Sequence, residues 1–340
     1  MQKIINQEFD SSNTINSSVS TKSIENFSQN RQKNYIERLY IAILHSFFKF
    51  TLLFENVYFP FAYLEKVKRR GEKYTLKIIL SDDIPLLLLA FSWQASNSIL
   101  HSISLIFLLI SFWCVYELGY YENDLIAEKY EQKPKLASTY YAYKHIMQTT
   151  YPWLWSIVLG WIGIVILNKA QGVYLPFVGL LKEEIEFIDP TILFFSSWIV
   201  FLVCVRYCFK IYNYSSKQAR TWLYIILQSV RYYGFLWITT TNLIGISFLS
   251  SHILSRSLLY IVYRYSGGNS ENWPREIPER FLRCLIFIFT LITICFGNQN
   301  IAVWQSWQTW AILLWCVMRN PKQMKRTLAQ FKPIFQDSSN

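Results

Sequence analysis

The sequence is poor in residues that interrupt regular structure and poor in charge. Its 340 residues include eleven glycines and ten prolines, and 16% are charged, whereas 52% are hydrophobic and 18% aromatic. So few turn-forming residues argue against a β-barrel with many turns. Low charge together with apolar runs that approach 20 residues predicts a polytopic α-helical membrane protein.

Motifs that mark many enzymes and metal proteins are also missing. The sequence contains no GxGxxG, P-loop, HExxH or GxSxG pattern, and its four histidines are scattered over different segments, which argues against a histidine-rich metal site. All six cysteines lie in apolar runs without a CxxC pair. We therefore expect small buried thiols and no disulfide framework.

Charge of one sign is concentrated in short segments. The formal net charge is +11, and the lysines and arginines cluster between apolar runs. Cytoplasmic loops of membrane proteins show this pattern, so it argues against nucleic-acid binding. We predict an integral protein of a lipid bilayer, a bacterial inner (plasma) membrane or a comparable one, with the basic loops and the acidic loops described below on the cytoplasmic side.

The apolar runs divide the chain into a tail, a membrane domain and a second tail. Residues 1–35 are predicted to be a disordered N-terminal tail, 36–320 a transmembrane helical domain and 321–340 a basic cytoplasmic tail. Residues 36–65 form either a kinked first span or an interfacial helix, and both remain open. Eight further spans are predicted at 84–98, 99–120, 153–167, 191–205, 222–238, 243–262, 281–296 and 301–318, so the all-α bundle has eight transmembrane helices, or nine if 36–65 also spans.

The stretch from Tyr116 to Pro134 places five acids and an asparagine where an apolar run gives way to lysines. Carboxylates at such a depth are costly and indicate function. In a helix, the spacing puts Glu117, Asp124, Glu128 and Glu131 on one face. Four like charges on one face are tolerable if they face water, hold protons or surround a cation.

Within this stretch, Asn123-Asp124 is followed by Glu131 and then by Lys133-Pro134, after the second predicted span. This pattern resembles the first acidic motif of the UbiA-type intramembrane prenyltransferases. It departs from that motif at Ala127, where the family has an aspartate, with Glu128 one residue displaced. The loop 263–280 takes the place of the family's second acidic motif, although it contains no DxxxD pattern.

The resemblance implies transfer of a polyprenyl group from a polyprenyl diphosphate to an unknown acceptor, with Mg²⁺ as cofactor. Under it, Asp124, Glu128 and Glu117 are the predicted catalytic residues. The predicted metal ligands are Asn123, Asp124, Glu128, Glu131, Glu271, Glu276 and Glu279. The predicted substrate-binding residues are Lys133, Arg264, Arg275, Arg231 and Tyr120.

Two other classes of function stay open. In a non-enzymatic membrane scaffold or assembly factor, Glu117 simply pairs with Arg231 or Arg206. In a transporter, Glu117, Arg231 and His252 line a path, but the spans show few of the glycine and proline breaks that build such sites. The sequence identifies neither an acceptor nor a protein partner.

Overall fold

The computed structural model describes residues 58–132, 134, 136–145, 147–171, 189–265, 278–299 and 301–329. Within these ranges the chain forms helices and contains no strand, which confirms the all-α prediction. The predicted N-terminal tail and most of segment 36–65 lie outside them. The α-helices are α1 Ile84–Phe91, α2 Ser98–Tyr130, α3 Tyr140–Tyr143, α4 Thr150–Gln171, α5 Pro190–Tyr214, α6 Lys217–Tyr233, α7 Leu243–Tyr265, α8 Glu279–Asn298, α9 Ala302–Gln305, α10 Trp307–Met318 and α11 Pro321–Ala329.

Two π-helical segments, Leu64–Lys68 and Thr75–Asp83, precede α1, and the second runs directly into it. Short 3₁₀ turns, Ser92–Gln94 and Gly234–Trp237, follow α1 and α6. The basic segment 321–329, predicted as part of a tail, is helical as α11.

Five of the described helices, α2, α4, α5, α7 and α8, are long and apolar enough to cross a membrane. They indicate a membrane protein. The other apolar segments form shorter helices: α1 has 8 residues, α6 has 17 and α10 has 12. The count of eight or nine spans stays a prediction, as does the side of the membrane that each loop faces.

Helix α2 is the longest element and carries the acidic stretch. It begins after Asn97, whose side chain accepts a hydrogen bond from the amide of Leu100, and it runs for 33 residues. At 1.5 Å per residue it is about 50 Å long, which exceeds a hydrocarbon core of about 30 Å. If the span starts at Ser98, the acids from Glu117 onward lie at the interface or beyond it.

Small residues let α2 approach its neighbours closely. Ser104 Oγ donates to the carbonyl oxygen of Gly163 at 2.7 Å, and Ser111 Oγ donates to that of Ser156 at 2.7 Å. These contacts join α2 to α4, and close packing through glycine and serine is typical of helices in membranes. On another side, Gly119 of α2 lies directly against the ring of Phe209 in α5.

Contacts bring the basic loops together at one end of the bundle. Arg206 of α5 donates to Glu122 of α2 at 3.3 Å, and Arg220 of α6 lies 3.7 Å from Glu131. Arg264, in the last turn of α7, donates to the first carbonyl oxygen of α6 at 3.4 Å. We call the end that carries these three arginines the basic end.

The turn before α2 and the turn between α6 and α7, which carry no charged residue, lie at the other end. Ser96, before α2, donates to the carbonyl oxygen of Ala170 in α4 at 2.8 Å. Asn242, in the turn between α6 and α7, donates to Gln308 of α10 at 2.7 Å. The alternating direction that the sequence predicts for these helices therefore agrees with the contacts.

We expect Gly119→Ala to lower the free energy of unfolding by about 1–3 kcal/mol, because an added Cβ overpacks the contact with α5. A Cβ at Gly119 would lie 2.3 Å from the Phe209 ring, whereas one at Gly297 has no heavy atom within 4 Å. Gly297→Ala is therefore the control, and it should leave stability unchanged or slightly higher. Thermal unfolding in detergent measures both; equal shifts would contradict the packing of α2 on α5.

Candidate functional site

Glu117, the deepest acid of α2, is completely buried and fixes the segment before the first π-helical turn. Its carboxylate accepts hydrogen bonds from Tyr58 Oη at 2.6 Å and from the amides of Phe61 and Leu64 at 2.9 and 2.8 Å. The two amides lie at the start of the helical segment that ends at Lys68, where an anion is stabilised by unpaired N–H groups. Glu117 therefore caps this segment from a different helix.

Asp124 holds the same segment at a second point, and Glu128 fastens a further segment, at α3, to the same face of α2. Asp124 accepts from Tyr63 Oη at 2.8 Å and from Lys68 Nζ at 2.5 Å. Glu128 accepts from Tyr140 Oη at 2.9 Å and from Lys144 Nζ at 2.6 Å. The hydrogen bond to Glu128 raises the pKa of the Lys144 ammonium above its ordinary value. Each carboxylate thus has its own cation and its own phenol.

The remaining acids of α2 contact other elements. Glu122 accepts from Arg206 and, at 3.2 Å, from Asn213 Nδ2. Glu131 follows the last helical residue, has an extended backbone, and lies 4.0 Å from Lys217. The prediction that these acids share one helix face therefore holds for Glu117, Asp124 and Glu128. It does not hold for Glu131, because α2 ends at the preceding residue.

Only some of the residues predicted for the magnesium and substrate site belong to the described part of the chain. Lys133, Glu271, Arg275 and Glu276 lie outside the described residues, and Asn123 is half-buried on α2. In the part of the chain that the structure describes, no three His, Cys, Asp or Glu side chains converge on one point. Carboxylates such as Asp124 and Glu128 suit Mg²⁺, yet a lysine already neutralises each of them. The magnesium site stays a prediction.

A second polar cluster lies away from these acids, and we call it the arginine network. Its members come from the segment before α1 and from α6, α7, α8 and the end of α10, and they are Asp82, Asp83, Arg231, Tyr232, His252, Arg256, Glu279, Arg280, Arg283 and Arg319. Most of these side chains are buried, so the network differs from ion pairs on an exposed surface.

Arg231, a predicted substrate-binding residue, is 2% exposed and forms an ion pair with Asp83. Its guanidinium also lies 4.5 Å from the centroid of the Trp113 ring, a cation–π contact. The predicted pairing of Glu117 with Arg231 or Arg206 is wrong, because Asp83 and Glu122 take those arginines. A buried arginine pairs with the acid that its fold brings closest, which spacing along the sequence does not reveal.

Tyr232 joins the arginines through a histidine. Its hydroxyl donates to Asp83 at 3.0 Å and accepts from Arg256 Nη1 at 2.9 Å, with His252 Nε2 also at 2.9 Å. His252 Nδ1 faces Arg283 Nη1 at 2.9 Å. Since arginine can only donate, Nδ1 is the acceptor and His252 is neutral with its proton on Nε2.

The outer part of the network ties α8 and α10 to the segment before α1. Asp82 accepts from Arg319 Nε at 3.0 Å and lies 3.3 Å from Arg280 Nη2. Arg256 Nε donates to Glu279, a predicted metal ligand, at 2.9 Å. Sequence reasoning missed Asp82 and Asp83; the available signal was a pair of acids directly before an apolar run, in a chain whose spans contain arginines that need counter-ions.

Tyrosines link the two polar regions. Lys68 Nζ, the partner of Asp124, lies 6.0 Å from the centroid of the Tyr120 ring. Tyr120 in turn packs edge-on against Tyr116, whose ring centroid lies 5.8 Å from the Arg231 guanidinium carbon. The predicted substrate-binding residues Tyr120 and Arg231 are therefore brought together, whereas Arg264 contacts the start of α6 instead.

Comparison of the chain with protein-family models, curated proteins and solved structures finds no match. Function therefore has to be inferred from the chemistry of these residues, since a helical bundle by itself is compatible with many functions.

We expect Glu117→Gln to lower the free energy of unfolding by about 2 kcal/mol, because the amide group turns an N–H toward donors that now bond a carboxylate. Thermal unfolding in detergent measures the loss. Glu72→Gln is the matched control: Glu72 is 55% exposed and pairs with Arg69 on the surface. Equal stability of the two variants would show that Glu117 does not hold the Tyr58–Leu64 segment.

Removing one member of the Arg231–Asp83 pair should cost about 3–5 kcal/mol, because the other remains buried and uncompensated. A double-mutant cycle with Arg231→Met and Asp83→Asn measures this coupling, and the double variant should lose much less than the sum of the single losses. The control cycle uses Arg69→Met and Glu72→Gln, an exposed pair 3.6 Å apart, with a coupling of at most about 1 kcal/mol. Strictly additive losses at Arg231 and Asp83 would contradict the pair.

Proposed function

We propose that the protein is an integral membrane protein of eight or nine spans that transfers a polyprenyl group from a polyprenyl diphosphate to an acceptor at the cytoplasmic face. It would act in the manner of the UbiA-type prenyltransferases that residues 123–134 resemble. One observation carries the proposal: the motif acids Asp124 and Glu128 lie beside lysines at the end of the bundle where Arg220 and Arg264 also gather.

The chemistry of a departing diphosphate suits this arrangement. Negative charge grows on the leaving group, and lysine and arginine donors that are already in place stabilise it. Lys68 and Lys144 are 25% and 30% exposed, so they can turn from their carboxylates toward a phosphate. Mg²⁺ held by Asp124 and Glu128 would supply further positive charge to the same oxygens.

The tyrosines beside the acids suit the prenyl carbon that the diphosphate leaves. Tyr116 and Tyr120 pack edge-on with ring centroids 5.4 Å apart, and Phe209 lies 4.6 Å from Tyr116. Aromatic faces attract cations, so this wall suits the positive charge that develops on an allylic carbon. Arg231, whose guanidinium carbon lies 5.8 Å from the centroid of the Tyr116 ring, would contact the substrate beside these aromatic rings.

A second candidate function, a membrane scaffold or assembly factor without catalysis, is favoured by a different observation. Every acid of α2 already has a partner within the chain, and three of these partners fasten loop segments to the helix. The transporter alternative has less support, because Glu117 bonds to the Tyr58–Leu64 segment while Arg231 and His252 belong to the arginine network.

We expect Asp124→Asn to lower Mg²⁺-dependent release of diphosphate by about 100-fold or more, since it removes the carboxylate that the reaction needs for charge stabilisation. The assay uses the full-length protein in detergent, radiolabelled geranylgeranyl diphosphate and a membrane lipid extract as the source of acceptor. Chelation of Mg²⁺ should have the same effect on the unmodified protein.

Glu122→Gln is the matched control, because Glu122 lies on the same part of α2 and pairs with Arg206 but is not part of the motif. It should retain turnover, and thermal unfolding should show that both variants are folded. Undiminished turnover in Asp124→Asn excludes the transferase, and the absence of turnover in the unmodified protein favours the scaffold.

A further inference from the structure

Arg283 of α8 is a buried arginine whose donors are only partly used. Its side chain is 1% exposed, Nη1 donates to His252, and the guanidinium carbon lies 4.4 Å from the centroid of the Trp315 ring. Nε and Nη2 are both buried, and neither makes a hydrogen bond of normal geometry within the described residues, where the Cys316 thiol also lies against the guanidinium. Native proteins rarely leave two donors of one buried cation unsatisfied.

The charges around Arg283 do not balance. The arginine network contains five arginines and three carboxylates, and ion pairs join Asp83 to Arg231, Glu279 to Arg256, and Asp82 to both Arg280 and Arg319. Within the described ranges no carboxylate lies within ion-pair distance of Arg283, and its partner His252 is neutral. A buried cation without a counter-ion is strongly unfavourable, so this position favours an added anion.

The two unused donors define the shape of that anion. Nε and Nη2 form one edge of the planar guanidinium and present parallel N–H groups. This edge matches two oxygens of a phosphate or carboxylate, which it binds through paired, charge-assisted hydrogen bonds. A water molecule could accept one of these bonds but would leave the charge uncompensated.

The depth of Arg283 indicates a phosphate. The side chains of Glu279 and Arg280, in the first turn of α8, are 36% and 33% exposed, so Arg283 lies about one helical turn below the surface. Gln323 of α11 accepts from the amide of Arg280 at 3.2 Å, which places the exposed Lys322 beside this end of α8. Lipid phosphates lie at such a depth, and basic residues near a membrane attract anionic headgroups.

We propose that the Nε–Nη2 edge of Arg283 binds a phosphate group, carried by a lipid headgroup or present as free inorganic phosphate. The site is separate from the end of α2 and does not rest on prenyl transfer. Phosphate there neutralises the unpaired arginine and completes the arginine network between α7, α8 and α10.

The test measures the thermal unfolding midpoint of the full-length protein in phosphate-free detergent. Two probes are titrated at constant ionic strength: dihexanoyl phosphatidic acid, and inorganic phosphate. We expect a saturable rise of the midpoint, because a ligand of the folded state alone stabilises it. A rise with the lipid only assigns a headgroup, and a rise with both assigns the phosphate group itself.

Arg283→Gln removes the edge, and Lys322→Gln is the control that removes one positive charge from the same end of the bundle. We expect the first to weaken the apparent affinity at least about tenfold and the second to change it little, since only Arg283 supplies a bidentate contact. Arg283→Lys keeps the charge without the edge and should behave like Arg283→Gln, so it decides the outcome if Arg283→Gln does not fold. No saturable rise in the unmodified protein, or equal responses of Arg283→Lys and the unmodified protein, would overturn the proposal.

Discussion

An arginine buried in a helical bundle keeps its proton, so the fold must bring acceptors to it, and Asp83 is the acceptor that it brings to Arg231. Asp83 is itself buried and also accepts from Tyr232, which in turn bonds His252 and Arg256. A single ion pair thereby positions α6, α7 and α8 relative to α1. Helices that share an apolar solvent gain little from hydrophobic contact with each other, so such polar contacts fix their arrangement.

The charged acids of α2 also need partners, and they find them on other elements of the fold. Glu117 and Asp124 hold the Tyr58–Lys68 segment against the helix, and Glu128 holds α3. Partly exposed lysines make the outer two of these contacts exchangeable, since water can take the place of a carboxylate. Glu117 is fully buried and bonded to two backbone amides, so water cannot exchange with its contacts in this way.

Local patterns predicted the helices and the acidic stretch, because hydropathy and capping act over a few residues; Asn97 before α2 is an example. They did not predict partners. Asp83 and Arg231 are 148 residues apart, and no local rule connects them. Glu131 departs from its predicted face because the helix ends one residue earlier, and helix ends are set by tertiary contacts as much as by sequence. Arg231 and Tyr120 both lie against Tyr116, but substrate binding by them stays a prediction.

The two polar regions differ in what they leave unfilled, and that difference decides which ligand each can receive. On α2, Glu117, Asp124 and Glu128 already accept hydrogen bonds, so a cation can bind Asp124 or Glu128 only by displacing Lys68 or Lys144. At Arg283 two donors are unused and a positive charge is unpaired, so an anion enters without displacing any hydrogen bond. Binding energy is lost whenever existing contacts must be broken first, and gained when a buried group finds its missing partner. Even in the absence of catalysis, the arginine network is therefore the part of the described chain best suited to bind the phosphate group that we propose.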